Sequence, residues 1–397
     1  MSDQPDRICI LGGGFAGLYT ALNLSQLPWQ LPNKPDIVLV DQRDRFLFSP
    51  FLYELLTGEL QTWEIAPPFV ELLANTNVRF QQAAVAGISL DERTVYLHDS
   101  PELSYTQLVL ALGGETPVDF VPGAEQHAIP FRTIPDAYRL EETLKSLERS
   151  DIDKIRVAVV GGGYSGVELA CKLAERLGDR GRLRLIDRGE QILKTSPEFN
   201  RETAIQALNE RGVWVDLETQ VTDIQANSIS LEYKGQVDEI PVDIVLWTVG
   251  TKVADVIQTL PLKKNDQDQI VVTPTLQAVD HPEIFALGDL ADCRDASGQH
   301  VPATAQAAFQ QAQYASWNIW ASVTGRPLLP FRYQNLGEMM TLGMDNATLT
   351  GLGIKLDGPL AHIARRLAYL YRMPTFDHQV RVGLNWIAKP VRELLSP

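Results

Sequence analysis

The sequence predicts an α/β chain built from two Rossmann-like dinucleotide-binding domains, the second inserted in the first, followed by an amphipathic C-terminal segment. Three observations predict it. A glycine-rich motif occurs twice, each copy follows a strand-like run, and each precedes a helical pattern. At 397 residues the chain also exceeds the size at which one hydrophobic core stops growing, so two or three domains are expected.

The first copy reads RICILGGGFAG over 7–17 and the second RVAVVGGGYSG over 156–166. Both satisfy G-x-G-x-x-G, with Gly12, Gly14 and Gly17 in one and Gly161, Gly163 and Gly166 in the other. The first glycine permits the tight turn from strand to helix. The second lets backbone approach a pyrophosphate, and the third lets helix and strand pack closely. The helix that follows offers unpaired N–H groups and the positive end of its dipole to the phosphates. Apolar residues at helical spacing come next in both: Leu18, Ala21 and Leu22, then Val167, Ala170, Leu173, Ala174 and Leu177. A second strand then ends in an acid, Asp41 lying 24 residues after Gly17 and Asp187 lying 21 after Gly166. Such a carboxylate accepts hydrogen bonds from a ribose hydroxyl. Two bound dinucleotides are the expectation, against two glycine turns with no ligand. Between the first helix and its strand, Pro28, Pro32 and Pro35 forbid helix and predict a surface loop.

Composition narrows the classes. Apolar residues form 45% and charged residues 21%, an ordinary globular balance that excludes a disordered or fibrous chain. With 35 basic and 50 acidic residues the formal charge is −15, a poor basis for nucleic-acid binding. The short polar start shows no signal-peptide pattern, and no run of 18 apolar residues predicts a membrane span. Cys9, Cys171 and Cys293 stand far apart without a C-x-x-C pair, which argues for a reducing compartment and against zinc ribbons and dithiol motifs. The six histidines form no metal-ligand pattern, and no metal is expected.

The doubled fingerprint resembles the glutathione-reductase-like flavoproteins, in which the first copy holds FAD and the second NAD(P)H. TPTLQAVDHPEIFALGD over 273–289 is similar to their second FAD motif, which brings Asp289, after Gly288, to the ribityl chain. Asp289 capping a helix is the alternative. LVLALGG (108–114) and IVLWTVG (244–250) are similar to the two strand-then-glycine crossovers, which implies cofactor-side roles for Gly113 and Gly250. RFLFSPFLYELLTG (45–58) resembles a stretch of the type II NAD(P)H dehydrogenases, single-subunit quinone reductases. PATAQAAFQQAQ (302–313) resembles the start of their A-Q-x-A-x-Q helix, which implies that Gln306 and Gln310 lie beside flavin and quinone. At i and i+4 both amides face one side of a helix and can donate to a carbonyl. A helix rich in Ala and Gln is also simply a good helix. Within the family the chain is similar to the cyanobacterial and plastid-type branch, which reduces a naphthoquinone with NADPH in vitamin K1 synthesis. A respiratory quinone reductase and a redox-sensing flavoprotein of slow turnover are the alternatives.

The cysteines discriminate further. Residues 41–60 contain none, so the redox-active pair of a disulfide reductase is missing, and Cys293 alone cannot form the bridge of sulfide chemistry. The chemistry is therefore the cofactors' own. Glu168, in GYSGVE, matches the family's glutamate near the nicotinamide; positioning or proton exchange is the implied role, with a helix-start acid as alternative. Asp187 favours NADH, whereas Arg188, with Arg182 and Arg184 nearby, favours the 2′-phosphate of NADPH. The resemblance tips the expectation to NADPH with both coenzymes used.

From Lys355 the character changes. GPLAHIARRLAYLYRMP places Leu360, Ile363, Ala364, Leu367, Leu370 and Tyr371 on one helical face, with Arg365, Arg366 and Arg372 mostly off it. Trp386, Ile387, Lys389 and Arg392 follow. Residues 355–397 hold seven basic and three acidic residues, +4 in total, which leaves −19 for the remainder. A basic segment with an apolar face reads as a peripheral membrane anchor on the cytoplasmic side of a thylakoid or plasma membrane. Docking on its own domain or in a homodimer is the alternative. The expected division is an FAD domain over 1–120 and 263–345, an NAD(P)H domain over 121–262, and a C-terminal segment over 346–397.

Overall fold

The computed structural model describes residues 6–30 and 34–395, with side chains to 389. Pro32 and the side chain of Arg392 lie outside the described residues. The chain divides into two compact units. The first comprises 1–47, 66–115 and 252–334, the second 48–65, 116–251 and 335–397. The segment from 346 onward, read from the sequence as a separate piece, therefore clusters with the second dinucleotide fold.

In the first unit the strands run in the order Gln277–Ala278, His281–Ala286, Gln107–Leu110, Arg7–Leu11, Asp36–Asp41, Val78–Gln82. All neighbours except the first pair are parallel. The central strands Ile8–Leu11 and Ile37–Val40 are wholly buried, which is why they read as continuous apolar runs rather than alternating ones. The fingerprint helix Phe15–Gln26 lies along the long helix Ala305–Thr324. Ala16 and Ala21 of the former and Ala308, Ala312 and Ala315 of the latter are buried, small side chains that suit close helix contact. Beyond Gln26 the chain extends, as the prolines predict, and the Trp29 indole donates to the carbonyl of Leu24 at 2.8 Å.

The second unit repeats the plan. Trp214–Asp216, Gly181–Ile186, Ile155–Val160, Ile244–Trp247 and Ala128–Pro130 form one parallel sheet. The helix Tyr164–Leu177 and the antiparallel meander Thr219–Ile224, Ser228–Tyr233, Gln236–Pro241 belong to the same unit. Ala158, Val160, Ile186, Val245 and Trp247 of the sheet pack with Val221, Ile229 and Leu231 of the meander. A three-stranded antiparallel sheet, Glu338–Thr341, Ala347–Gly351 and Ile354–Asp357, leads into the helices Gly358–Arg372 and Phe376–Leu395.

The first of these helices departs from expectation at Arg365. Its buried side is Ala361, His362 and Arg365, whereas Leu360, Ile363, Leu367 and Tyr371 are 55–82% exposed. Arg365 is fully buried because the Ser49–Leu55 segment offers it a carboxylate and a carbonyl, a long-range pairing that helical periodicity does not register.

Candidate functional site: two dinucleotide cradles and a buried acid

Each glycine motif has its own geometric requirement. Gly12 and Gly161 sit at φ +100° and +115°, a region that L side chains rarely adopt. A Cβ on Gly17 would lie 1.7 Å from the carbonyl oxygen of Gly12, and one on Gly166 would lie 1.8 Å from that of Gly161. The third glycine is thus demanded by helix-on-strand approach. Gly14 and Gly163, by contrast, have nothing within 4 Å of a notional Cβ. Open space over the second glycine, at the cap of a helix with unpaired N–H groups, is what a pyrophosphate needs. The residues present fit a dinucleotide at both places.

The acids also repeat. Asp41, buried, accepts from the N–H of Gly13 at 2.7 Å and of Arg43 at 2.8 Å. Asp187, half-buried, accepts from the N–H of Gly162 at 2.6 Å and of Gly189 at 2.7 Å. Oδ2 of each acid therefore braces the glycine loop, Oδ1 takes an N–H just beyond the acid, and the remaining lone pairs stay available for ribose hydroxyls. Arg188 is exposed beside Asp187. Arg182 and Arg184 do not join it. They stand on the preceding strand, five and three residues before Asp187, Arg182 donating to the carbonyls of Asp179 and Gly181 and Arg184 pairing with Asp216 at 2.7 Å.

In the first unit Gly113 and Gly288 adopt left-handed conformations after their strands, at φ +69° and +73°. A Cβ on Gly288 would reach Ala16 of the fingerprint helix at 3.8 Å, so the turn carrying Asp289 lies at the same end of the sheet as Gly12–Gly17. Asp289 is half-buried and follows the buried strand residues Ile284–Leu287. In the second unit Gly250 is left-handed as well, at φ +81°, against Pro117.

Gln306 and Gln310 lie in the first turns of the helix Ala305–Thr324, whose N-cap Thr304 accepts from Ala307 N–H. Gln306 accepts from the Tyr333 hydroxyl at 3.3 Å. The Gln310 amide differs from the expected donor to an acceptor carbonyl: it donates to the carbonyl of Gln334 at 2.9 Å and accepts from its N–H at 3.0 Å, pinning the irregular segment around Gln334. Its neighbour Gln311, which the motif does not single out, is buried and accepts from the N–H of Gly288 at 2.7 Å. Gln311 thus anchors the Asp289 turn. Its signal was present in AFQQAQ, but one residue is a 100° turn of helix.

Glu168 is buried, 6% exposed, in the first half of the helix Tyr164–Leu177. Burial pushes its carboxyl up to about 7, against the opposing Arg365 guanidinium and the Thr341 N–H that donates to Oε1 at 2.9 Å. A helix-start acid would be exposed and ordinary; this one is neither. The thiols of Cys9, Cys171 and Cys293 are free and buried, each pushed up to about 12 by burial. None is a thiolate at neutral pH, so dithiol exchange is closed to them. Among the described residues no group of three or more His, Cys, Asp or Glu comes together as a metal site.

Twin cradles for dinucleotides, with no reactive thiol, define a two-dinucleotide flavoprotein oxidoreductase. Comparison with known proteins makes this specific. The profile of the pyridine nucleotide-disulphide oxidoreductases matches residues 6–312. Demethylphylloquinone reductase NdbB of Synechocystis is 59% identical over 400 residues, spanning 100% of this chain and 99% of that protein. The alternative NAD(P)H-ubiquinone oxidoreductase C1 of Arabidopsis thaliana is 46% identical, over 96% of this chain and 80% of that one. A solved NDH2 from Plasmodium falciparum in complex with NADH superposes with a TM-score of 0.86 at 17% identity, covering 98% of both chains. The chain belongs to the pyridine nucleotide-disulphide oxidoreductase family and, within it, to the type II NAD(P)H dehydrogenases. FAD and NAD(P)H are the cofactors typical of that family.

Two predictions follow from this geometry. Gly166→Ala forces the helix off Gly161, so KM for the reduced coenzyme should rise by about a hundredfold while bound FAD is retained, as read by steady-state kinetics and the flavin spectrum. Glu168, raised above its ordinary 4.5, stabilises the fold fully below that value and loses the contribution as pH rises through about 7. Thermal melts of the wild type and Glu168→Gln should therefore diverge in the variant's favour on going from about pH 5 to about pH 8.

Proposed function

We propose that the protein reduces a membrane-dissolved quinone with NAD(P)H, and that its quinone is a naphthoquinone, demethylphylloquinone, on the route to vitamin K1. The observation that carries this reading is the 59% identity, end to end, to the Synechocystis demethylphylloquinone reductase. Bound FAD supplies the two-electron carrier between coenzyme and quinone. The chain's residues do the rest. Gly12, Gly14 and Gly17 with Asp41, Asp289 and Gly113 would hold FAD; Gly161, Gly163 and Gly166 with Asp187, Arg188 and Gly250 would hold the coenzyme. Glu168 is a buried carboxyl that can take or give a proton near neutral pH, as reduction of a quinone to a quinol requires. Gln306 supplies an amide at the start of the long helix, while Gln310 holds the backbone of Gln334. Arg188 supports NADPH, and Asp187 keeps NADH usable.

Access to a membrane quinone is supported by the C-terminal helices. Leu360, Ile363, Leu367 and Tyr371 on one, and Phe376, Val380, Leu384 and Ile387 on the next, recur at helical spacing with 40–82% exposure. Among the described residues no helix is long and apolar enough to cross a membrane. Stripes of this kind, with Arg372, Arg381 and Lys389 alongside, suit a helix lying in the headgroup region. The cytoplasmic face of a thylakoid or plasma membrane is the proposed place.

Two experiments test the reading. The purified yellow protein should bleach when NADPH is added anaerobically and recolour within seconds on adding a soluble naphthoquinone, with NADH acting more slowly than NADPH. Bleaching without quinone-dependent recovery would establish the sensor alternative instead. Replacing Leu360, Ile363 and Leu367 by Ser removes apolar area that is already outside the core, so the fold should persist. Binding to anionic vesicles should drop at least tenfold on sedimentation; retained binding together with loss of a dimer on sizing would point to a subunit interface.

A further inference from the structure

Five ionisable side chains lie together inside the second unit. Glu54, Lys172 and Arg365 are fully buried, Glu168 is nearly so, and the Glu59 side chain is 13% exposed. They come from three separate stretches of sequence: Ser49–Leu55 with its continuation to Glu59, the helix Tyr164–Leu177, and the helix Gly358–Arg372. Two cations face three carboxylates. If all were ionised the cluster would carry a net negative charge out of water, which is unfavourable, and a single bound proton removes it.

Geometry decides which carboxylate holds that proton. Arg365 donates one terminal nitrogen to Glu54 Oε1 at 2.6 Å and the other to the carbonyl of Pro50 at 2.6 Å. Its guanidinium lies over the rings of Phe51 and Tyr369, at 5.2 and 5.0 Å, which holds its plane. Lys172 is in direct contact with Glu59. Glu168 has no cation in hydrogen-bond contact: the nearest Arg365 nitrogen stands 3.7 Å from Oε1, and that oxygen accepts from the main chain of Thr341 instead. Two carboxylates are thus directly matched by cations and the third is not.

We propose that Glu54 is a positioning residue: by holding Arg365 in a direct hydrogen bond it keeps the guanidinium out of hydrogen-bond contact with Glu168, so that Glu168 remains a carboxyl able to carry a proton. The inference rests on the proposed proton-exchange role of Glu168 in quinone reduction. The directions of the titrations agree with it. Burial pushes the Glu54 carboxyl up, but Arg365 and Lys172 outweigh burial and hold it below its ordinary range. Burial lifts Glu59, with Lys172 opposing. Around Glu168 itself stand Arg365 and Tyr369 of the helix Gly358–Arg372, Glu54 and Tyr53 of the Ser49–Leu55 segment, and Lys172, Cys171 and Tyr164 of its own helix. The tyrosines and the thiol are all raised by burial and neutral. His362, one turn before Arg365, is lowered to about 4 by burial and the neighbouring cations, and is neutral too. Glu54 is then the one ionised acid competing with Glu168 for Arg365.

The test is Glu54→Gln in the FAD-loaded protein. Without its carboxylate partner the guanidinium turns to Glu168, and Glu168 loses a negative neighbour; both effects favour its ionised form. The pH at which the Glu168 carboxylic-acid C=O band disappears in infrared titration, assigned by its absence in Glu168→Gln, should fall by about 1 unit or more. The corresponding limb of the pH profile of kcat with NADPH and a soluble naphthoquinone should move the same way. Glu59→Gln, which leaves Arg365 on Glu54, should leave the band position within about 0.3 units. An unmoved band in folded, FAD-loaded Glu54→Gln overturns the proposal. If that variant does not fold, Glu54→Asp retracts the carboxylate by one methylene and decides the matter by the same readout: a downward shift supports the proposal and no shift overturns it. The two readings fail separately. If Glu168→Gln turns over with an unaltered pH profile, the proton role of Glu168 fails, while the infrared band still judges Glu54.

Discussion

Everything in both dinucleotide folds depends on one close approach, that of a helix backbone to the strand that precedes it. At Gly17 and Gly166 the space where a Cβ would stand is taken by the carbonyl oxygen of the motif's first glycine, 1.7 and 1.8 Å away. Only hydrogen fits. With the helix drawn that near, its N–H groups face the open ground over Gly14 and Gly163. The loop is then held from the side by the acid at the end of the next strand, Asp41 on Gly13 and Asp187 on Gly162. The two units share even the main-chain bonds that set this up: Gly12 N–H to Val40 and Gly161 N–H to Ile186, both at 2.8 Å. Cradle, brace and helix are one construction made twice.

The second unit adds a further feature. Its last two helices are held by buried polar contacts rather than by their apolar stripes. Arg365 meets Glu54 and Pro50 in the interior, His378 meets the carbonyl of Glu64, and the buried Glu64 carboxylate accepts from Asn385 and Trp386. Removing one partner of such a buried pair strands a charge, at about 3–5 kcal/mol. This arrangement frees the hydrophobic stripe to face outward. Polar groups fasten the helices to the body, and apolar groups are left for a surface.

Much of this was legible in residues that lie near one another in the chain. The glycine spacing, the strand before it and the acid after it are local patterns, and the structure places each where the pattern requires. That Gly288-Asp289 forms a left-handed turn after a buried strand was legible for the same reason. The roles of Gln310 and Gln311 were not, because which of two adjacent amides points at Gly288 depends on the rotation of the helix Ala305–Thr324 against Phe15–Gln26. Arg182 and Arg184 misled, since nearness to Asp187 along a strand becomes distance at about 3.3 Å per residue. Arg365 misled in the opposite sense. An arginine among leucines in an amphipathic pattern reads as solvated, and only a carboxylate 311 residues away makes its burial favourable.

The sequence by itself determined that the chain forms two dinucleotide folds and carries no reactive dithiol, because periodicity, glycine spacing and cysteine count are properties of short segments. The tertiary structure alone decided which face of the C-terminal helix is interior and which acid is left without a direct cation. Those outcomes arise where the Ser49–Leu55, Tyr164–Leu177 and Gly358–Arg372 segments meet. In a low-dielectric interior a charge takes its state from whatever neighbour folding places against it, and no local pattern records that neighbour.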